Sequence, residues 1–229
     1  MRALTALLVL GLVSLPAAAP AGDDSVVTTA PQVGNAAKLA EPVDLEAHYQ
    51  ALLAQAKAKA PESDWAGLRF AYAARPGFKA FGQDTAKSDM FKAVEAGDCD
   101  KAAADSRTVI EQAYVDADAH LVAAFCDDKA GDAAGAVRER DVGVGLLKSI
   151  ETPGDGLSPD KAFVVIDVDE EYALIRARGL KVTNQALIQQ GGHSYDALTT
   201  LDDKGASATL YFLIDRVLEA EAAAPKPGP

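Results

Sequence analysis

Histidine is scarce in this chain: His48, His120 and His193 are the only three among 229 residues. None stands in an H-E-x-x-H arrangement or a comparable metal pair, so a histidine-bound metal is not expected. Only two cysteines occur, Cys99 and Cys126, too few for a zinc ribbon, and no histidine sits at a suggestive spacing from either to activate a thiol. The chain has no G-x-S-x-G elbow and no phosphate-binding P-loop; its VGVG at 142–145 lies inside a helical pattern, where the glycines read as a kink or a close packing point. Basic residues are outnumbered, 22 against 34 acidic, giving a net charge of −12. Such a balance repels phosphate backbones and anionic headgroups, so nucleic acid and membrane surfaces are poor partners. No cofactor is called for.

No apolar run approaches the roughly 20 residues of a spanning helix. The longest opens the chain. MRALTALLVLGLVSLPAAAPA combines one early positive charge, a short apolar stretch and the A-x-A ending Ala19-Pro20-Ala21. This is the pattern of a cleavable signal peptide, residues 1–21, cut after Ala21, which predicts a periplasmic or secreted protein. No cysteine follows the cut to carry a lipid anchor. Residues 22–43 are small, polar and aperiodic, a flexible leader. The Pro-rich end of 217–229 predicts a short helix end and a disordered tail.

Between leader and tail the pattern is α+β. Residues 44–150 read as helices: one from Asp44, a second capped by Ser63 with Trp65, Leu68 and Tyr72 on one stripe, then helices at 85–96, 99–113, 117–130 and 133–150. The sequences EAGDCDKAAADS at 95–106 and KAGDAAGAVRER at 129–140 repeat Ala-Gly-Asp 34 residues apart, each between two helical segments. That is the period of tetratricopeptide (TPR) helix-turn-helix units, with glycine ending one helix and aspartate capping the next. Trp65, Tyr72, Phe81, Phe91 and Phe125 read as core. Residues 151–216 read as a small α+β region: a buried strand AFVVIDV, a helix, and a meander of strands QALIQQ, HSYDALTTL and SATLYFLID with turns at Gly191-Gly192 and 203–205.

An exported pair of cysteines suggests a Cys99–Cys126 disulfide closing a loop worth about 3.5 kcal/mol. An antiparallel helix pair would instead put a residue nearer 131 opposite Cys99, so the alternative is two separate buried thiols.

VIDVDEEYALIRARGL, 165–180, gathers Asp167, Asp169, Glu170 and Glu171. With Asp169 as N-cap, Glu170 and Glu171 in the first turn, Arg176 and Arg178 in the last and Gly179 after it, the cluster reads as a helix matched to its own dipole. Lacking the glycine of a calcium loop, it is not a metal site. The next polar group is Asp155 in PGDG with His193, Tyr195 and Asp196 in GHSYD, read either as a hairpin edge with satisfied side chains or as a candidate binding rim. Strand alternation, however, puts His193 and Tyr195 on one face and Asp196 on the other.

The segments LRFAYA at 68–73, SIETPGDGLSPDKAFVVIDVDEEYALIRARGL at 149–180, QALIQQGGHSYDAL and TLYFLI resemble the bacterial family DUF4919, a domain of unknown function. The resemblance implies an exported protein with a TPR-like helical front and a small β-containing back, and it carries over no catalytic residue. The expected function is that of a non-catalytic protein-interaction or scaffold protein of the periplasm, its partner an envelope protein or peptide. The alternative is a small-molecule or glycan-binding module, conceivably a hydrolase, built where PGDG meets GHSYD with Asp155 and Asp196 as acid and base.

Overall fold

The computed structural model describes residues 44–58, 60, 62–80 and 85–223. The signal, the leader, Phe81 and the end of the Pro-rich tail fall outside the described residues.

Six helices come first: α1 (Leu45–Ala58), α2 (Trp65–Ala73), α3 (Thr85–Glu95), α4 (Cys99–Gln112), α5 (Ala117–Ala130) and α6 (Ala133–Glu151). They form three hairpins, α1 with α2, α3 with α4 and α5 with α6. The even-numbered helices share one start signal, Asp64, Asp98 and Asp132, spaced by 34 residues. Each carboxylate accepts the backbone N–H three residues on, from Gly67 at 2.8 Å, Lys101 at 3.0 Å and Gly135 at 2.9 Å. The repeat therefore has three members, one more than the Ala-Gly-Asp match shows, and Asp64 rather than Ser63 caps α2. Gly97 and Gly131 end the preceding helices with φ of 73° and 83°, a conformation that L side chains rarely adopt.

The hairpins do not follow one another as a simple ladder. α4 lies against α5, while α2 lies against α6. Gly145 makes the second contact possible: a Cβ there would stand 2.3 Å from Trp65 Nε1. Gly145→Ala should therefore reverse the usual helix gain of about 1 kcal/mol and destabilise by about 1–3 kcal/mol through overpacking. Urea unfolding checks this; a stabilised variant would show that the indole can move.

The second half continues with a 3₁₀ turn (Pro159–Lys161), strand β1 (Phe163–Val164), helix α7 (Val168–Ala177), strands β2 (Lys181–Gln190), β3 (His193–Leu201) and β4 (Ser207–Leu213), and helix α8 (Asp215–Ala223). The expected strand at 162–168 pairs over only two residues. Beyond them Val165 and Ile166 are buried in the core, and Asp167 turns the chain into α7. The second strand is longer than QALIQQ, and the last residues of SATLYFLID start α8 instead of extending β4. Sheet order is β1-β4-β3-β2, with β1 parallel to β4 and the other pairs antiparallel. One continuous core runs through both halves, from Tyr49, Trp65 and Leu68 through Leu146 and Ile150 to Phe163, Leu174, Leu198 and Phe212.

Candidate functional site

Arg69 stands in the apolar stretch WAGLRFAYA of α2 and is fully buried. Its guanidinium grips Glu170 on α7 through Nε at 2.6 Å and Nη2 at 2.5 Å. Ser149 Oγ on α6 accepts from Nη1 at 3.1 Å, and the carbonyl oxygen of Val164 on β1 accepts from Nη2 at 2.8 Å. Glu170 Oε2 also accepts the N–H of Ile166 at 2.9 Å. Four elements, α2, α6, β1 and α7, thus meet on one ion pair.

The carboxylates of the 165–180 segment divide their tasks differently from the sequence reading. Asp167, not Asp169, is the N-cap, accepting Glu170 N–H at 2.9 Å, because α7 begins two residues earlier than expected. Burial raises the Asp167 carboxyl well above its usual range, and the charge of Glu170 adds to this. Glu171 is fully buried, and neither carboxyl oxygen has a hydrogen-bond partner among the described residues. Burial, then the nearby Asp196, Asp167 and Glu170, push it up to about 9, so it is a neutral acid at pH 7. Gly179, φ 66°, ends α7 as expected.

A cleft of about 1030 Å³ opens beside the start of α7, walled by Tyr72 and Phe78, the start of α3 and the α4–α5 turn. In its wall Lys87 Nζ lies 2.7 Å from Asp116, 3.1 Å from Asp169 and 3.4 Å from Asp118, which Arg176 of α7 also grips. Burial alone would lower the Lys87 ammonium, but these carboxylates outweigh it and hold the group above the ordinary lysine value. A lysine kept protonated serves neither as base nor as nucleophile. No histidine, serine or cysteine is among the described residues lining the cleft. Nor does any group of three or more His, Cys, Asp or Glu among the described residues have the arrangement to hold a metal.

The rim residues do not assemble into one site. Asp155 closes its own turn, accepting Leu157 N–H at 2.9 Å, which lowers its carboxyl, and it lies 3.4 Å from Lys161. Asp196 pairs in register with Phe212 on the core side of the sheet and takes Gln185 Nε2 at 2.7 Å. His193 and Tyr195 occupy the other face, their ring centroids 6.5 Å apart. His193 Nδ1 meets Asp215 of α8 at 2.6 Å, and Asp215 Oδ1 caps Ser194 N–H at 2.8 Å. An acid and a base paired from Asp155 and Asp196 would need the two carboxyls to converge, and each is instead held by its own neighbour. His48 is exposed. His120 is buried and satisfied, with Nδ1 2.7 Å from Glu139 and Nε2 3.0 Å from the Tyr114 carbonyl oxygen.

Two surfaces were not legible as sites. Phe125, expected in the core, is 51% exposed, and Val137 on the paired helix is 53% exposed. β2 forms one edge of the sheet, with eight of its ten residues exposed and Leu187 at 61%. QALIQQ before the Gly191-Gly192 turn marked it as a strand, but only the sheet order shows it to be an edge.

No helix among the described residues is long and apolar enough to cross a membrane. No curated protein and no solved structure matches the chain. A family model does, over residues 43–223, and its description is that of a domain of unknown function: the chain belongs to the DUF4919 family.

Proposed function

We propose that this chain is a non-catalytic interaction protein of the bacterial periplasm or secreted fraction, and that strand β2 is where an extended partner segment adds to its sheet. The observation that carries this reading is the edge itself. An edge strand presents unpaired N–H and C=O groups, and natural proteins usually blunt it with charges, proline or a covering element. β2, KVTNQALIQQ, has no proline and no charge after Lys181, and is exposed along most of its length. Strand addition draws affinity from backbone hydrogen bonds and specificity from alternate side chains. The net charge of −12 favours a segment with uncharged or basic side chains. The signal-like first 21 residues support export, and the three helix hairpins with caps 34 residues apart support kinship with TPR scaffolds. The paired state of Lys87 and the separation of Asp155 from Asp196 favour binding over catalysis.

Crosslinked capture of the mature protein from its own cell envelope tests the reading. Leu187→Lys with Gln189→Lys charges the edge and should reduce recovery of the enriched partner at least tenfold without lowering Tm. If Phe125→Ser with Val137→Ser removes the partner while the β2 variant retains it, the site belongs to the helices instead.

A further inference from the structure

We infer that Cys99 and Cys126 are a disulfide-forming pair whose bond locks the α3–α4 hairpin onto α5. The sulfurs lie 2.8 Å apart as thiols. An antiparallel pair turning near Val115 would put a residue nearer 131 opposite Cys99. The sulfur contact instead sets Cys99, at the start of α4, against Cys126, one turn before the end of α5.

The surroundings explain why a covalent tie matters at this position. Cys99 and Cys126 sit in a cluster with Ala93, Ala102, Ala103 and Val122, separate from the main core. A second satellite cluster, around Met90, Val109 and Ala119, adds the other apolar contact between this hairpin and α5. The cluster around the two cysteines, mostly alanine, buries little apolar area, and the Lys87 ion pairs and an Arg107–Asp127 pair at 2.8 Å add the polar ties between the α3–α4 hairpin and α5. A cross-link between residues 27 apart removes open conformations that these contacts alone leave accessible. The same hairpin supplies Thr85, Ala86 and Lys87 to one wall of the cleft and Gln112 to another, so its locking also sets the width of that opening.

The order of reaction follows from exposure. Cys99 is half-exposed and Cys126 is buried, its thiol held up by burial and by the adjacent Cys99 sulfur. An external disulfide, oxidised glutathione or an oxidoreductase of the export compartment, reaches Cys99 first. The Cys99 thiol gives its proton to solvent and attacks one sulfur of the oxidant, forming a mixed disulfide and releasing one thiolate. Cys126 then loses its proton and attacks Cys99 Sγ, expelling the second thiolate. The protein yields two protons and two electrons, and the oxidant becomes two thiols.

The test uses the full mature chain incubated with a glutathione redox buffer and then denatured with an alkylating agent. Oxidised protein should take up no alkyl group and be 2 Da lighter than the reduced form; reduced protein should take up two. Tm should fall by several degrees on reduction, and Cys126→Ser should match the reduced wild type with or without oxidant. Amide hydrogen exchange should quicken at least tenfold in 85–112 on reduction while α6 and β3 keep their protection. Two alkyl groups on folded protein held in excess oxidised glutathione would overturn the pairing. A disulfide with unchanged exchange in 85–112 would overturn the locking. Neither result touches the reading of β2, which depends on capture through a different surface.

Discussion

Replacing Arg69 with alanine should destabilise the protein by about 3–5 kcal/mol, the range seen when one partner of a buried ion pair is removed. Glu170 would remain in the core with the Ile166 N–H as its surviving partner, an uncompensated carboxylate where a bidentate pair had been. Ser149 Oγ and the Val164 carbonyl oxygen would each lose a donor as well. Urea unfolding followed by Trp65 fluorescence should show a lower midpoint with an unchanged m-value. The double variant Arg69→Met, Glu170→Leu separates the loss of the pair from the loss of packing. It should recover most of the stability, because two apolar chains leave no charge to bury. A single-variant loss below 1 kcal/mol would mean that water reaches Glu170, contrary to its burial.

Glu171→Gln should act in the opposite direction and stabilise the protein at neutral pH. The unfolded carboxyl titrates near 4.5 and the folded one near 9. Below pH 4.5 both states hold the proton and the site imposes no pH-dependent penalty. From 4.5 to 9 the unfolded chain has released its proton while the folded chain keeps it, so stability falls as pH rises through that window. At about 1.4 kcal/mol per pH unit the penalty reaches about 3 kcal/mol at pH 7. Glutamine preserves shape and neutrality without titrating. The gain of the variant over wild type should therefore be near zero at pH 4, grow to pH 8, and level off above 9. Burial raises Asp196 and Asp167 too, and both remain in the variant, so its own curve still slopes downward. Parallel curves for variant and wild type would show that Glu171 is not the group responsible. The Glu171 penalty falls as the medium becomes more acidic.

Most of the helical half was legible in the sequence because its signals are local. A left-handed glycine followed by an aspartate that closes on an N–H three residues later needs no tertiary partner, and the 98 and 132 caps stand as expected. The third member of the series, Asp64, was missed because no glycine precedes it and Ser63 offered a competing cap. In the second half, the stretch between two turn signals matched β3 to the residue, whereas the apolar run at 162–168 did not announce that only two of its residues pair. A buried strand and a buried irregular segment look alike in composition. The dipole-matched reading of α7 was right about the helix and its Gly179 end. It placed the cap two residues late and assigned Glu170 and Glu171 to the helix dipole, when that turn also faces Arg69 and the core. One signal could have warned of this: a lone arginine inside the apolar stretch of α2 needs a buried acid somewhere.

What the sequence determined alone was whatever a few consecutive residues decide between themselves, the helix ends, the strand period, the tight turns and the balance of charge. The tertiary structure decided which charges lost their water. Arg69 and Glu170 are 101 residues apart, Lys87 and Asp116 are 29, and the sulfurs of Cys99 and Cys126 come from different hairpins. The packing of α2 on α6, and of α7 between the helices and the sheet, makes a buried pair of the first, a shielded network of the second and a bond-forming contact of the third. Among the described residues it also leaves the Glu171 carboxyl with no hydrogen-bond partner and the outer side of β2 with no paired strand. Desolvation and edge exposure depend on what the rest of the chain covers, and no local pattern encodes that.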